Sequence, residues 1–192
     1  MIFNFNTKTE ITHAFDESVF TQLTTVENVA AANLKTIYGN GYIILKKTGG
    51  PDAQNLKVYI DGNTTPFTIA MHGGGNSLSN YLRLYFQESI RFEPFSTHTF
   101  YYQTLLTDMV LPKKYNVIQG VISKTTELSL QGRGKIIIAH NIIGTTYPVT
   151  IDGQLVNVQL NSQFYTDLLF NESLKCTSEY ELNYIAYVEI EE

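Results

Sequence analysis

The chain has no tryptophan and only one cysteine, Cys176, so it can close no internal disulfide. Charge is also scarce. Asp, Glu, Lys and Arg make up 16% of the residues, against about 25% in an ordinary soluble domain. The 13 Lys and Arg are outnumbered by 18 Asp and Glu, for a net charge of −5. That balance lacks the basic footprint that neutralises a phosphate backbone, which excludes nucleic acid as the expected partner. No apolar run approaches the ~20 residues needed to span a bilayer, so no membrane insertion is expected. The opening MIFNFNTKTE has neither the basic start nor the apolar core of a secretory signal, and a reducing cytoplasm is the expected place of synthesis.

What is present points to strands. Hydrophobic residues make up 43% of the 192 positions, enough for a buried core, and 12% are aromatic. Tyr and Phe fit a pleated surface, and the 13 glycines punctuate it. The expectation is a mainly β protein.

Three short phrases recur in the same order. GNGYIIL (Gly39 to Leu45) is answered by GRGKIII (Gly132 to Ile138), VYIDG (Val58 to Gly62) by VTIDG (Val149 to Gly153), and LYFQESIRF (Leu84 to Phe92) by LLFNESLKC (Leu168 to Cys176). The offsets are 93, 91 and 84 residues. Drift of that size is what surface loops tolerate. The sequence therefore reads as two tandem, duplicated small antiparallel β-sandwich modules, 34–110 and 117–192, with about six strands each.

Each phrase has a mechanical reading. Asp-Gly flanked by alternating apolar residues is a hairpin turn, because both turn positions need positive φ. In YLRLYF the apolar Leu82, Leu84 and Phe86 alternate with Tyr81, Arg83 and Tyr85, the period of a half-buried strand. The unbroken runs Ile43-Ile44-Leu45 and Ile136-Ile137-Ile138 are those of strands covered on both faces.

Residues 1–33 stand apart as an N-terminal segment. Phe15, Val19, Leu23, Val26 and Ala30 fall at helical spacing, whereas Thr21, Thr24, Thr25 and Val29 oppose a helix through lost χ1 freedom. LPKKYN, Leu111 to Asn116, reads as the linker between the modules.

Candidate chemistry is thin. Gly39-x-Gly41 has Ile44 where a dinucleotide loop needs glycine, and Gly73-Gly74-Gly75 lacks the Lys-Ser or Lys-Thr pair of a phosphate loop. Asp61, Asp152, Glu88 and Glu172 all lie in repeated phrases. Two copies of one turn offer the same environment twice, whereas paired catalytic carboxylates need environments that split their pKa values. These acids read as turn residues. Ser89 and Ser173 lack a nucleophile elbow. His13, His72, His98 and His140 are too scattered for a metal site, and Cys176 reads as a small strand residue. No catalytic residue, metal or cofactor is expected.

Duplication also offers an internal contrast. What both copies keep serves folding, so what one copy alone carries marks a specific task. Module one has its own loops, KKTGGPDAQN, MHGGGNSLSNY and PFSTHTFYY. From them His72, Asn76, Tyr81, His98 and Tyr102 form the candidate ligand or partner surface, tyrosine supplying rigid contact area with a hydroxyl edge. The plain alternative is that such aromatics fill a core or cover a sheet edge.

The order of phrases, G-x-G with an apolar strand, V-x-I-D-G, then L-x-F or L-L-F with E-S-[I/L] and a Tyr-rich last strand, resembles the β modules of tail-associated and other structural proteins of bacteriophages infecting Gram-positive bacteria. The likeness runs from Leu34 to the C-terminus. It implies a non-enzymatic virion component, made in the host cytoplasm, that forms homo-oligomers, binds other virion proteins and contacts a host surface. The second reading is a carbohydrate-binding module or adhesin holding a cell-surface glycan, which the lack of tryptophan weakens.

Overall fold

The computed structural model describes residues 21–23, 35–47, 54–71, 81–94, 100–107, 114–140, 146–159 and 165–190. Every regular element among them is a strand. The first eight are β1 (Thr21–Leu23), β2 (Lys35–Tyr38), β3 (Asn40–Lys47), β4 (Gln54–Ile60), β5 (Phe67–Met71), β6 (Tyr81–Phe86), β7 (Ser89–Pro94) and β8 (Phe100–Thr107). The next eight are β9 (Tyr115–Ile122), β10 (Leu128–Gln131), β11 (Gly134–Ala139), β12 (Thr146–Ile151), β13 (Gln154–Gln159), β14 (Tyr165–Phe170), β15 (Ser173–Cys176) and β16 (Leu182–Glu189).

The sixteen strands form four antiparallel sheets of four. Their orders are β1-β8-β3-β6 and β2-β7-β4-β5, then β9-β16-β11-β14 and β10-β15-β12-β13. Adding eight to each strand number of the first pair gives the second pair. Two four-stranded sheets connected in this order make an eight-stranded jelly roll, so the chain is two jelly rolls in tandem.

Each module thus has eight strands where the phrases suggest six. The extra ones are the short or edge strands, β1 with β2 and β9 with β10. β1 falls inside the N-terminal segment, where Thr21 pairs with Leu106 of β8. A strand there interrupts any helix from Phe15 to Ala30, and the rest of that segment lies outside the described residues. The linker reading also needs correction at its end. Tyr115 and Asn116 already belong to β9, because Tyr115 is apolar enough to be buried in a core.

Two hydrophobic clusters organise the interior. Ile122, Leu128, Ile136, Ile138, Val149, Phe170 and Leu174 with their neighbours fill the second module. The other cluster contains the core of the first module, including Leu56, Ile60, Phe67, Leu84, Phe86 and Phe92, together with Tyr115, Ile137, Ala139, Ile185 and Tyr187 of the second. Alternate residues of β11 and β16 thus face opposite ways, one set into their own module and one set against the first. This is why Ile136-Ile137-Ile138 is apolar without a break. β5 packs on β11 and β16 at this joint.

Candidate functional site

The three repeated phrases meet at one corner of each module. Asp61-Gly62 and Asp152-Gly153 turn with φ of 50° and 76°, and of 50° and 78°. Both positions are left-handed, as a type I′ turn requires, and Asp is among the few residues that tolerate it. The turn aims the Asp61 carboxylate at the β6–β7 connection, where it accepts from the backbone N–H groups of Gln87 at 3.0 Å, Glu88 at 2.8 Å and Ser89 at 3.1 Å. Asp152 repeats the arrangement with Asn171 at 3.0 Å, Glu172 at 2.8 Å and Ser173 at 3.1 Å. The Gly-x-G phrase closes the corner. Gly39 N–H donates to the Glu88 carbonyl and Gly132 N–H to that of Glu172, both at 2.9 Å.

Electrostatics agree with this structural role. Slight burial raises the Asp152 carboxyl, but N–H donors from Glu172, Ser173 and Asn171 outweigh it and hold the group below its ordinary value. Glu88 and Glu172 are exposed, contributing backbone to the corner. The twin aspartates stay with their own turns. Among the described residues no group of three or more His, Cys, Asp or Glu is placed to hold a metal ion.

Residues that differ between the copies build the joint instead. Gln87 and Asn171 occupy equivalent positions in the two β6–β7-type turns. Asn171 turns back to Asp152 at 3.3 Å. Gln87, one methylene longer, crosses to the other module, donating to Tyr115 O at 2.7 Å and accepting from Lys114 N at 2.7 Å and Tyr115 N at 3.0 Å. The Gln119 side chain does the same in reverse. It accepts from Ile60 N and donates to Val58 O, each at 2.9 Å, just where the β4–β5 ladder ends at Val58↔Phe67. A carboxamide carries the donor and acceptor of a peptide group, so each glutamine replaces a missing strand partner. Asn63 adds a bond to Val117 O at 3.1 Å.

Four tyrosines fill the space between. Tyr85 and Tyr42 are cross-strand partners on β6 and β3, with ring centroids 5.2 Å apart. Tyr115 and Tyr187 meet Tyr85 at 6.2 Å and 6.3 Å and each other at 6.4 Å. These are favourable tilted and edge contacts, each worth roughly 0.5–1.5 kcal/mol beyond buried area. The Tyr85 hydroxyl donates to Asn40 Oδ1 at 2.9 Å. Burial pushes the Tyr115 phenol up to about 12 and raises those of Tyr85 and Tyr187 further.

Of the five residues singled out from module one, Tyr81 and Tyr102 are among those described. His72, Asn76 and His98 lie outside the described residues, as does His13. Tyr81 and Tyr102 are on β6 and β8, with Lys46 and Leu45 of β3 as their Cα partners. Successive strand positions belong to opposite faces, so the register does not set these two positions on one face. His140 is buried at the end of β11 and Cys176 is buried on β15, where desolvation pushes its thiol up to about 12. Gln87, Gln119, Tyr85 and Tyr187 were missed. A signal existed for three of them, since their counterparts are Asn171, Leu169 and Leu105.

No protein-family model matches the chain, and no curated protein matches it. Among solved structures, the chain is similar to AerE from Microcystis aeruginosa, with a TM-score of 0.33 and 12% identity over 90% of this chain and 98% of that one. HutD from Pseudomonas fluorescens SBW25 follows with a TM-score of 0.27 and 7% identity over 85% and 77%. At such scores the likeness carries no argument about this chain.

Proposed function

We propose that the chain is a non-enzymatic structural protein of a bacteriophage particle, which assembles with itself or with neighbouring particle proteins and presents a surface to the host. The observation that carries this reading is the joint. Several described side chains that set one module apart from the other, Tyr85, Gln87 and Tyr187 among them, lock the two jelly rolls together. A body of this kind suits a load-bearing part. Jelly rolls occur in viral particles, and equally in lectins and cupins, so the fold supports the reading only in company with the phrase order. The sparse surface charge and the exposed Ile118 and Val121 of β9 suit contact with neighbours.

Size-exclusion chromatography with light scattering, run beside a glycan array, tests it. A defined homo-oligomer without glycan signal is expected. A monomer with saturable sugar binding would overturn the reading in favour of a carbohydrate-binding module.

A further inference from the structure

The duplication supplies an internal control for the interior of each jelly roll. By register, Tyr147, Thr166 and Cys176 of the second module occupy the positions of Leu56, Leu82 and Phe92 in the first. Leu56, Leu82 and Phe92 are fully buried apolar side chains, at 0%, 1% and 0% exposure. The second module therefore carries a phenol, an alcohol and a thiol in a layer that the first fills with hydrocarbon.

Two of these groups are orphaned. The Tyr147 hydroxyl and Thr166 Oγ1 are buried without a hydrogen-bond partner, and Tyr147 is 3% exposed. Leaving such a group unpaired costs about 1–3 kcal/mol, so a buried orphan calls for an explanation. A duplicate that keeps apolar residues at the same places shows that the fold has no need of them. Tyr147 on β12 and Thr166 on β14 stand second in their strands, at the end of the module opposite the Asp152 corner. They belong to facing sheets. Thr166 shares its interior face with Ile138 and Tyr184, its register neighbours in the second core.

We infer that this end of the second module is a binding site for a small uncharged molecule carrying a carbonyl or hydroxyl group on an apolar body. Tyr147 supplies a donor, Thr166 a donor or an acceptor, and Ile138, Val149 and Val158 the apolar lining. Among the described residues no Asp, Glu, Lys or Arg is buried, and the buried His140 just past β11 would have to take up a charge to pair with an anionic guest, a cost that a neutral guest avoids.

Saturation-transfer NMR with cyclohexanol and cyclohexanone as probes, and butyrate as the charged control, tests the site. The comparison covers the wild type, the near-isosteric Tyr147→Phe and Thr166→Val, and Leu155→Ala on an exposed position (71%). Saturable millimolar binding of at least one neutral probe is expected for the wild type and for Leu155→Ala. Either interior variant should weaken it about tenfold, the value of one hydrogen bond, and butyrate should give no signal. Absence of saturable binding by both neutral probes overturns the site, as does equal binding by all variants. A rise in the Tyr147→Phe melting midpoint without any probe binding would mark the hydroxyls as unfilled orphans and overturn it as well.

Discussion

The Tyr187 hydroxyl pairs with both backbone groups of Tyr85, donating to its carbonyl at 3.0 Å and accepting from its N–H at 3.2 Å. Tyr85 lies on β6, the last strand of its sheet, which has no strand beyond it among the described residues. One phenol from the other module thus ends an exposed edge, a position that otherwise invites pairing between chains.

Tyr187→Phe keeps the ring contacts and removes that bridge. Two buried backbone groups of Tyr85 then lose this partner, at about 1–3 kcal/mol in total. Urea unfolding should show this loss. A larger loss is expected for Tyr187→Leu, which copies the Leu105 counterpart and also gives up the aromatic contacts. Wild-type stability in both variants would show that the bridge contributes nothing.

The same tyrosines set an alkaline limit. Their ordinary value is 10.0, and burial raises Tyr115 to about 12 and the folded Tyr85 and Tyr187 higher. Between the unfolded and folded values the native state holds more protons, so stability falls as pH rises. The contribution is complete below about pH 10 and is lost as pH climbs toward the folded values. Unfolding midpoints should start to fall near pH 9, where the unfolded Cys176 thiol ionises, and more steeply above pH 10, and this steeper fall should be shallower in Tyr187→Phe. An equal slope in that variant would place the titrating groups elsewhere.

How far the sequence revealed this fold depends on whether a feature is local. The Asp-Gly turns were readable because left-handed φ is a property of two adjacent residues, and the alternation of Leu82, Leu84 and Phe86 because strand period is local too. The unbroken Ile136-Ile137-Ile138 showed that both faces were covered, but not that the first module covers one of them. β1 was hidden because three residues cannot display a period and the helical spacing around them is a competing signal. The joint was half visible. Gln87 differs from its twin Asn171 in a plain alignment of the two phrases, whereas Gln119 lies outside every repeated phrase and is found only by register.

The corner predicts a contrast between substitutions at one residue. Asp61→Asn keeps an oxygen for the three N–H donors and a residue that accepts φ of 50°. Asp61→Ala loses both, and about 1–3 kcal/mol of stability should go with them. At Asp152 the depressed carboxyl favours the ionised folded state, so its contribution is present above the unfolded value of about 3.8 and lost as pH falls through the lower folded one. The group is well solvated, and screening keeps the effect small. Acid unfolding of Asp152→Asn should be slightly less steep below pH 4 than that of the wild type.

Gly134 opens β11 where three elements converge, and its hydrogen is the only substituent that fits. A Cβ there would stand 2.2 Å from the Tyr187 carbonyl oxygen and 2.8 Å from the Phe170 ring. The oxygen belongs to the neighbouring strand, so relief requires β11 and β16 to separate, and with them the Tyr187 side chain that reaches Tyr85. Gly134→Ala should therefore cost about 3 kcal/mol or more, the upper range of overpacking, and should raise amide exchange at Tyr85 as well as along β11. Gly153→Ala makes a useful comparison. Its Cβ would meet nothing within 4 Å, and only its φ of +78° opposes the change, at about 1 kcal/mol. If Gly134→Ala proves the milder of the two, the ladder between β11 and β16 is looser than this geometry requires.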